Sequence, residues 1–175
     1  MEIETPAIDV LARTDSGVDH NLALLEQCRA LVAVLTEAAY THGLAGERSN
    51  TIGGHMRHLL DHQQAVLDGV SDRCVDYASR RCGTPCESDP AAAAQRIDGL
   101  IAAFENARLD ETLTLNVVRE DRSRTRSTLA RELDFAASHA THHLAIVSVL
   151  AKVLGIQVPK DLGVAASTLR YRRST

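Results

Sequence analysis

Apolar residues return every three or four positions in four separate stretches of this chain, and that period restricts what the chain can fold into. Leu22, Leu25, Cys28, Val32, Leu35 and Ala39 recur at helical spacing, and so do Ile52, Met56, Leu59, Val66 and Val70. Ala94, Ile97, Ile101 and Phe104 make a third stripe, and Leu129, Leu133, Ala136, Ala140, Val147, Leu150 and Leu154 a fourth. An amphipathic helix has to bury its apolar face against another element. Four of them with little strand pattern between them satisfy one another as an all-α four-helix bundle. Composition agrees with this. Hydrophobic residues are 45% of the chain, aromatics only 3%, and Trp is absent, so the core must be built from Leu, Ala, Val and Ile. Alanine-rich faces let helices approach closely. A length of 175 residues supplies one sizeable core and is too short for two comfortable ones.

Local signals set the expected boundaries. Residues 1–14 lack periodicity and read as a flexible lead-in, which leaves 15–175 as a single domain. The first helix is expected over 18–40, capped by Asp15 or Ser16 and stopped at Gly43. The second is expected over 51–70, capped by Ser49 or Asn50. Ser88-Asp89-Pro90 places a capping side chain before a proline at the first helical position, and opens a third helix running to about residue 109. A fourth, capped by Ser127 or Thr128, runs to Leu154 and ends at Gly155. Between helices three and four, residues 113–118 (Leu-Thr-Leu-Asn-Val-Val) and 123–126 suggest a short β-hairpin. Residues 160–175 read as an extended C-terminal tail laid over the bundle. The first two helices, joined by a short link, are expected to be antiparallel neighbours.

Several functional classes are excluded or weakened. Net charge is −4 and the pI is near 6.0, so no basic field is available for nucleic acid or an anionic membrane. No apolar run is long enough to span a bilayer. Glu2, Glu4 and Asp9 with no apolar stretch among them argue against a secretory leader, so a cytoplasmic protein is expected. Cys28, Cys74, Cys82 and Cys86 are then cytosolic thiols. Arg119, Arg122, Arg124 and Arg126 read as a solvated turn. There is no Gly-rich phosphate loop, no Gly-x-Ser-x-Gly and no Cys-x-x-Cys.

Histidine carries the chemical information. Six of the eight histidines fall in two clusters: His55, His58 and His62 on the second helix, and His139, His142 and His143 on the fourth. At about 100° per residue, His139 and His143 lie within roughly 60° of the stripe centred on Ala136, while His142 falls well off it. Residues at i and i+4 are neighbours, so two inward imidazoles at that spacing can occupy adjacent corners of one metal ion. The second helix supplies the third nitrogen. On its wheel, with Ile52 central, His55 lies about 60° off, His62 about 80° and His58 about 120°, all on one side. Burial alone favours His55. Ala140 follows His139, so the Glu of a His-Glu-x-x-His peptidase is missing, and no Glu-x-x-His occurs to suggest a di-iron bundle.

Thr51-Ile-Gly-Gly-His-Met-Arg-His-Leu-Leu-Asp-His62 resembles the helix-two signature of the DinB/YfiT-like superfamily, and Ser138-His-Ala-Thr-His-His-Leu-Ala145 resembles its helix-four signature. The tail from Gly163 to Tyr171 is similar to that of a subset of the same family. The resemblance implies a four-helix bundle in up-down-down-up order, a three-histidine site for one divalent metal ion, zinc or nickel above others, and a homodimer. The family's His-x-x-Asp ligand pattern matches His58-Leu-Leu-Asp61, and its His-x-x-x-His matches His139 and His143. The implied ligands are therefore His58, His139 and His143, with His55 and His62 as supporting or alternate ligands. Asp61 or His62 is then a candidate base or orienting group. Known activities in the family are mostly metal-dependent thiol transfers that use a low-molecular-weight thiol. The expectation is a metal-dependent enzyme acting on a small molecule, thiol S-transferase-like or hydrolase-like. A non-catalytic metal-binding or scaffold protein, tied to stress, is the alternative.

Overall fold

Each long helix begins on a side chain that takes up a free backbone N–H. In the computed structural model, which describes residues 16–43, 50–79 and 84–174, the Ser16 hydroxyl accepts from Asp19 N and opens α1 (Gly17–Val32). Thr51 accepts from Gly54 N and opens α3 (Ile52–Asp72), so the cap is Thr51, one or two residues after the expected Ser49 or Asn50. Asp89 accepts from Ala91 N ahead of Pro90 and opens α4 (Pro90–Asn106). Thr128 accepts from Arg131 N and opens α5 (Leu129–Val153), which stops before Gly155 at φ +74°.

The unbroken first helix expected over 18–40 is corrected. α1 ends at Val32, and a separate turn of helix, α2 (Glu37–Tyr40), starts on Thr36. Leu35 and Tyr40 are both in the core, at 9% and 0% exposure. On one straight helix, positions five apart point about 140° away from each other, so one of the two would have faced solvent. The break lets both turn in, and the Tyr40 hydroxyl donates to the Cys86 carbonyl at 2.6 Å.

α1 packs on α4 and α5, and α3 packs on the same two helices, with the most extensive contact between α3 and α5. Helices α1 and α3 therefore face each other across the core and are not the side-by-side pair that the sequence predicts. The link between them carries α2, which leans on α3. The core is aliphatic, as composition requires. Ala136, Ala137 and Ala140 of α5 are fully buried and let α3 come close, with Met56, Leu59 and Leu60 opposite them also buried. A polar brace crosses this core. Gln63 Nε2 donates to Asn21 Oδ1 at 2.8 Å, and Asn21 Nδ2 donates to the Leu133 carbonyl at 2.9 Å, which ties α3 to α1 and α1 to α5.

The expected hairpin is present as β2 (Thr114–Val118) and β3 (Arg124–Thr128), antiparallel with Leu115 opposite Ser127. A two-residue strand, β1 (Cys74–Val75), pairs parallel to β2 and makes a three-stranded sheet in the order β1-β2-β3. The fold is thus mostly helical with a small sheet. The tail read as extended is also corrected, because Ala166–Ser174 forms a helix, α6. Leu169 of α6 is buried beside Ala23 of α1, and that apolar contact supplies what an isolated short helix lacks. No helix among the described residues is long and apolar enough to cross a membrane.

Candidate metal centre

Both histidine clusters meet where α3 packs on α5. His58 lies 4.9 Å from His139 and 4.8 Å from His143 between ring centroids, and His139 lies 4.5 Å from His143. The three residues singled out from the sequence are therefore brought together. His62 joins them at 4.6 Å from His58 and 3.8 Å from His139. Among the described residues, one tight group of potential ligand atoms is His58, His62 and His139, all within 4.8 Å of one another. Of the α3 histidines it is His62 that is most buried, at 8% exposure, while His55 and His58 are half-buried. The apolar stripe of α3 does not rank them, because burial here comes from the flank pressed against α5. His142 is exposed beside His143, as its place off the stripe requires.

The two possible trios differ in how their rings are tilted. An imidazole offers its lone pair in the ring plane, so ligands of one ion need planes that converge. His58 is inclined 67° to His139 and 84° to His143, and His139 is inclined 61° to His143. His62 instead stacks on His139 with 20° between planes.

Hydrogen bonds set which nitrogen carries the proton. His62 Nδ1 lies 3.0 Å from the His58 carbonyl, which can only accept, so His62 donates there and keeps its lone pair on Nε2. His55 Nδ1 and His143 Nδ1 are 2.9 Å apart, and His55 Nε2 is 2.9 Å from Asn50 Oδ1. His139 Nε2 is buried and has no hydrogen-bond partner. Burial, and then the neighbouring imidazoles His62 and His143, push the His139 pKa down to about 3; burial and then His58 and His55 push His143 down to about 4. His55 is lowered too, by burial and then by His142.

These residues fit a divalent ion. Zinc-class ions take neutral imidazole nitrogen at about 2.0–2.1 Å, and the orphaned His139 nitrogen is the buried polar atom such an ion would satisfy. Three nitrogens on a tetrahedral ion sit about 3.3 Å apart, so these side chains would have to turn towards one another to close on one.

Asp61 faces elsewhere. Its Oδ1 accepts from Arg96 Nη2 at 2.8 Å and its Oδ2 from Arg57 Nη1 at 2.9 Å, so both oxygens are engaged by guanidinium groups on the α4 side of α3. Cys28 and Cys86 are buried free thiols, Cys74 is half-buried, and Cys82 lies outside the described residues. Arg119, Arg122, Arg124 and Arg126 are all exposed, as a solvated turn requires.

Sequence reasoning missed an aromatic and carboxylate group beside the cluster. Tyr77, just after β1, stacks on His62 at 5.0 Å, and Phe135 lies 5.1 Å from Tyr77 and 5.9 Å from His139. The Tyr77 hydroxyl donates to Glu132 Oε2 at 2.7 Å. Glu132 is fully buried and also accepts from Ser127 and Arg131. Burial first, and then the bond to Glu132, raise the Tyr77 pKa. The available signal was an acidic residue seven positions before His139, on the same face of a helix.

The sequence model of the DinB superfamily matches residues 20–147. The chain is also similar to FK506-binding protein 5 of Rhizopus delemar, at 32% identity over 118 residues, which is 63% of this chain and 31% of that protein. The chain thus spans about a third of the length of that curated relative. No solved structure matches it significantly. With both histidine motifs inside the matched span and their rings gathered at one helix contact, the chain belongs to the DinB superfamily.

Proposed function

We propose that this protein holds one divalent metal ion, zinc or nickel, on His58, His139 and His143, and uses it on a small-molecule substrate. The observation that carries the reading is the buried, unpartnered Nε2 of His139, whose own ring burial keeps neutral. His62 and His55 support the ligands from either side, with His62 stacked on His139 and His55 bonded to His143. The family's His-x-x-Asp and His-x-x-x-His patterns favour this set, and His58, His62 and His139, whose ligand atoms lie within 4.8 Å of one another, are the alternative.

Three protein ligands leave a divalent ion a coordination position for a thiol or water, whose pKa it lowers toward neutrality. The rings of His58 and His139 are half-buried, so the cluster is not sealed from solvent. Such a position would serve a thiol S-transferase-like or hydrolase-like reaction. The same reading takes the four long helices in up-down-down-up order and the protein as a cytoplasmic homodimer, with no nucleic acid or membrane partner. The acidic net charge supports the last point.

Metal analysis of the purified protein tests the site. About one zinc- or nickel-class ion per chain is expected. His58→Ala, His139→Ala and His143→Ala should each lose most of it while keeping helical circular dichroism, and His142→Ala should retain it. His62→Ala should weaken binding by about 10–100-fold at most, as loss of a supporting partner does. No bound metal, with a melting temperature indifferent to added zinc, refutes the reading. A thermal-shift screen of the zinc-loaded protein against small thiols and electrophiles separates an enzyme from a metal-binding scaffold.

A further inference from the structure

Asn50 is the residue just ahead of the Thr51 cap of α3, and the helix does not use its side chain, since Thr51 accepts the Gly54 N–H. Its Oδ1 instead meets His55 Nε2 at 2.9 Å, and His55 Nδ1 meets His143 Nδ1 at 2.9 Å. An amide oxygen can only accept, so His55 carries its proton on Nε2 and, as a neutral ring, has a lone pair on Nδ1. Two Nδ1 atoms in contact need one hydrogen between them, and that hydrogen must then belong to His143. His143 is thereby left with its lone pair on Nε2. We infer that Asn50 is a positioning residue which, acting through His55, selects the His143 tautomer that can bind a metal ion through Nε2.

The inference rests on the metal reading for its consequence but not for its geometry. Without the relay, His143 is free to carry its proton on Nε2, and that tautomer presents an N–H where a ligand needs a lone pair. Hydrogen bonds to the distal nitrogen of a metal-binding histidine generally set its tautomer and orientation, and losing them costs about 10–100-fold in affinity. Asn50 acts one residue further out than such partners usually do.

The test uses the full chain with Asn50→Ala and Asn50→Asp. Long-range proton–nitrogen NMR on the metal-free protein reads the His143 tautomer directly. Zinc affinity is read by competition with a chromophoric chelator. Wild type and Asn50→Asp, which keeps an acceptor oxygen, should show His143 protonated on Nδ1. Asn50→Ala should show a mixture or the Nε2-protonated form, with zinc affinity down by about 10-fold or more. A His143 that stays wholly Nδ1-protonated in Asn50→Ala overturns the inference, and so does unchanged zinc affinity in that variant. If wild type binds no zinc at all, the metal reading falls, and the tautomer measurement on the metal-free protein still decides the role of Asn50.

Discussion

Replacing Asp61 by Ala asks whether the acid of the His58-x-x-Asp61 motif serves the histidine cluster or the scaffold. Its carboxylate is 10% exposed, and its partners Arg57 and Arg96 are 15% and 18% exposed. After its removal Arg57 still has Glu87 at 2.9 Å, although that contact lies off the N–H axis and leaves Nε without a proper hydrogen bond. Among the described residues Arg96 keeps the Cys86 sulfur at 3.5 Å, a weak acceptor, so the uncompensated charge falls on Arg96. Deleting one partner of a buried ion pair costs about 3–5 kcal/mol. Water reaches these side chains in part, so the expected cost is lower, about 2–3 kcal/mol. For a chain of this size that corresponds to a fall of roughly 4–12 °C in melting temperature. The assay is a thermal melt of the metal-free protein by circular dichroism, with zinc stoichiometry measured in parallel. Stability should drop and zinc should stay. Asp61→Leu combined with Arg96→Met should recover most of the loss, because the charge left behind, Arg57, still pairs with Glu87. Loss of zinc with an unchanged melt of the metal-free protein would show that Asp61 serves the cluster, and would refute this reasoning.

The metal-free protein should become less stable as pH falls from about 6.5 toward 3. His139 and His143 ionise near 3 and 4 when folded but near 6.5 when unfolded, so the unfolded chain binds more protons across that window; a urea midpoint that does not move between pH 7 and 5 contradicts it. Replacing Cys74, Cys82 and Cys86 together by Ser should leave bound metal unchanged by elemental analysis, since the proposed ligands are all imidazoles. Gly53→Ala should destabilise by about 2 kcal/mol or more in a denaturant melt, because its Cβ would sit 2.0 Å from the Glu87 carbonyl oxygen and 2.7 Å from the Tyr40 ring. Gly99→Ala, with nothing within 4 Å of the new methyl in the middle of α4, should instead stabilise by about 0.5–1 kcal/mol.

What could be read from the sequence was whatever depends on local spacing. Four apolar stripes gave the long helices, and the capping residues placed their starts to within a residue or two. The pairing of His139 with His143 needed only the 3.6-residue turn. The missed features depend on contacts between distant parts of the chain. The strand Cys74–Val75 is too short to show a period and exists because β2 offers it an edge. The helix over Ala166–Ser174 exists because Leu169 finds a place beside Ala23. The break after Val32 follows from two core positions five residues apart, a conflict visible only once Tyr40 is known to reach Cys86. In the site, spacing placed three histidines on one side of α3 but put His55 first for burial where His62 is the most buried, since burial depends on how α3 is turned against α5.

The stretch 51–62 shows why a motif can be recognised correctly and still mislead about a member of it. It runs as three interleaved faces of α3. Ile52, Met56, Leu59 and Leu60 enter the core. His55, His58 and His62 face the α5 histidines. Gly53, Arg57 and Asp61, spaced four apart, all face the turn at Pro85–Glu87 and α4: Gly53 lies under the Glu87 carbonyl, Arg57 pairs with Glu87, and Asp61 pairs with Arg96. A pattern such as His-x-x-Asp invites a reading in which the acid orients the histidine, because residues three apart on a helix are neighbours. Here the acid belongs to the face that clamps α3 to α4, so the same twelve residues can hold an ion on one side and anchor the helix on the other. Changes to the ion-pair face should therefore be read in stability and changes to the histidine face in metal content, with little crossing between them. Coupling is expected only where a substitution moves α3 as a whole, and Gly53→Ala, which pushes against backbone and not against a flexible side chain, is the substitution on this face that should lower both.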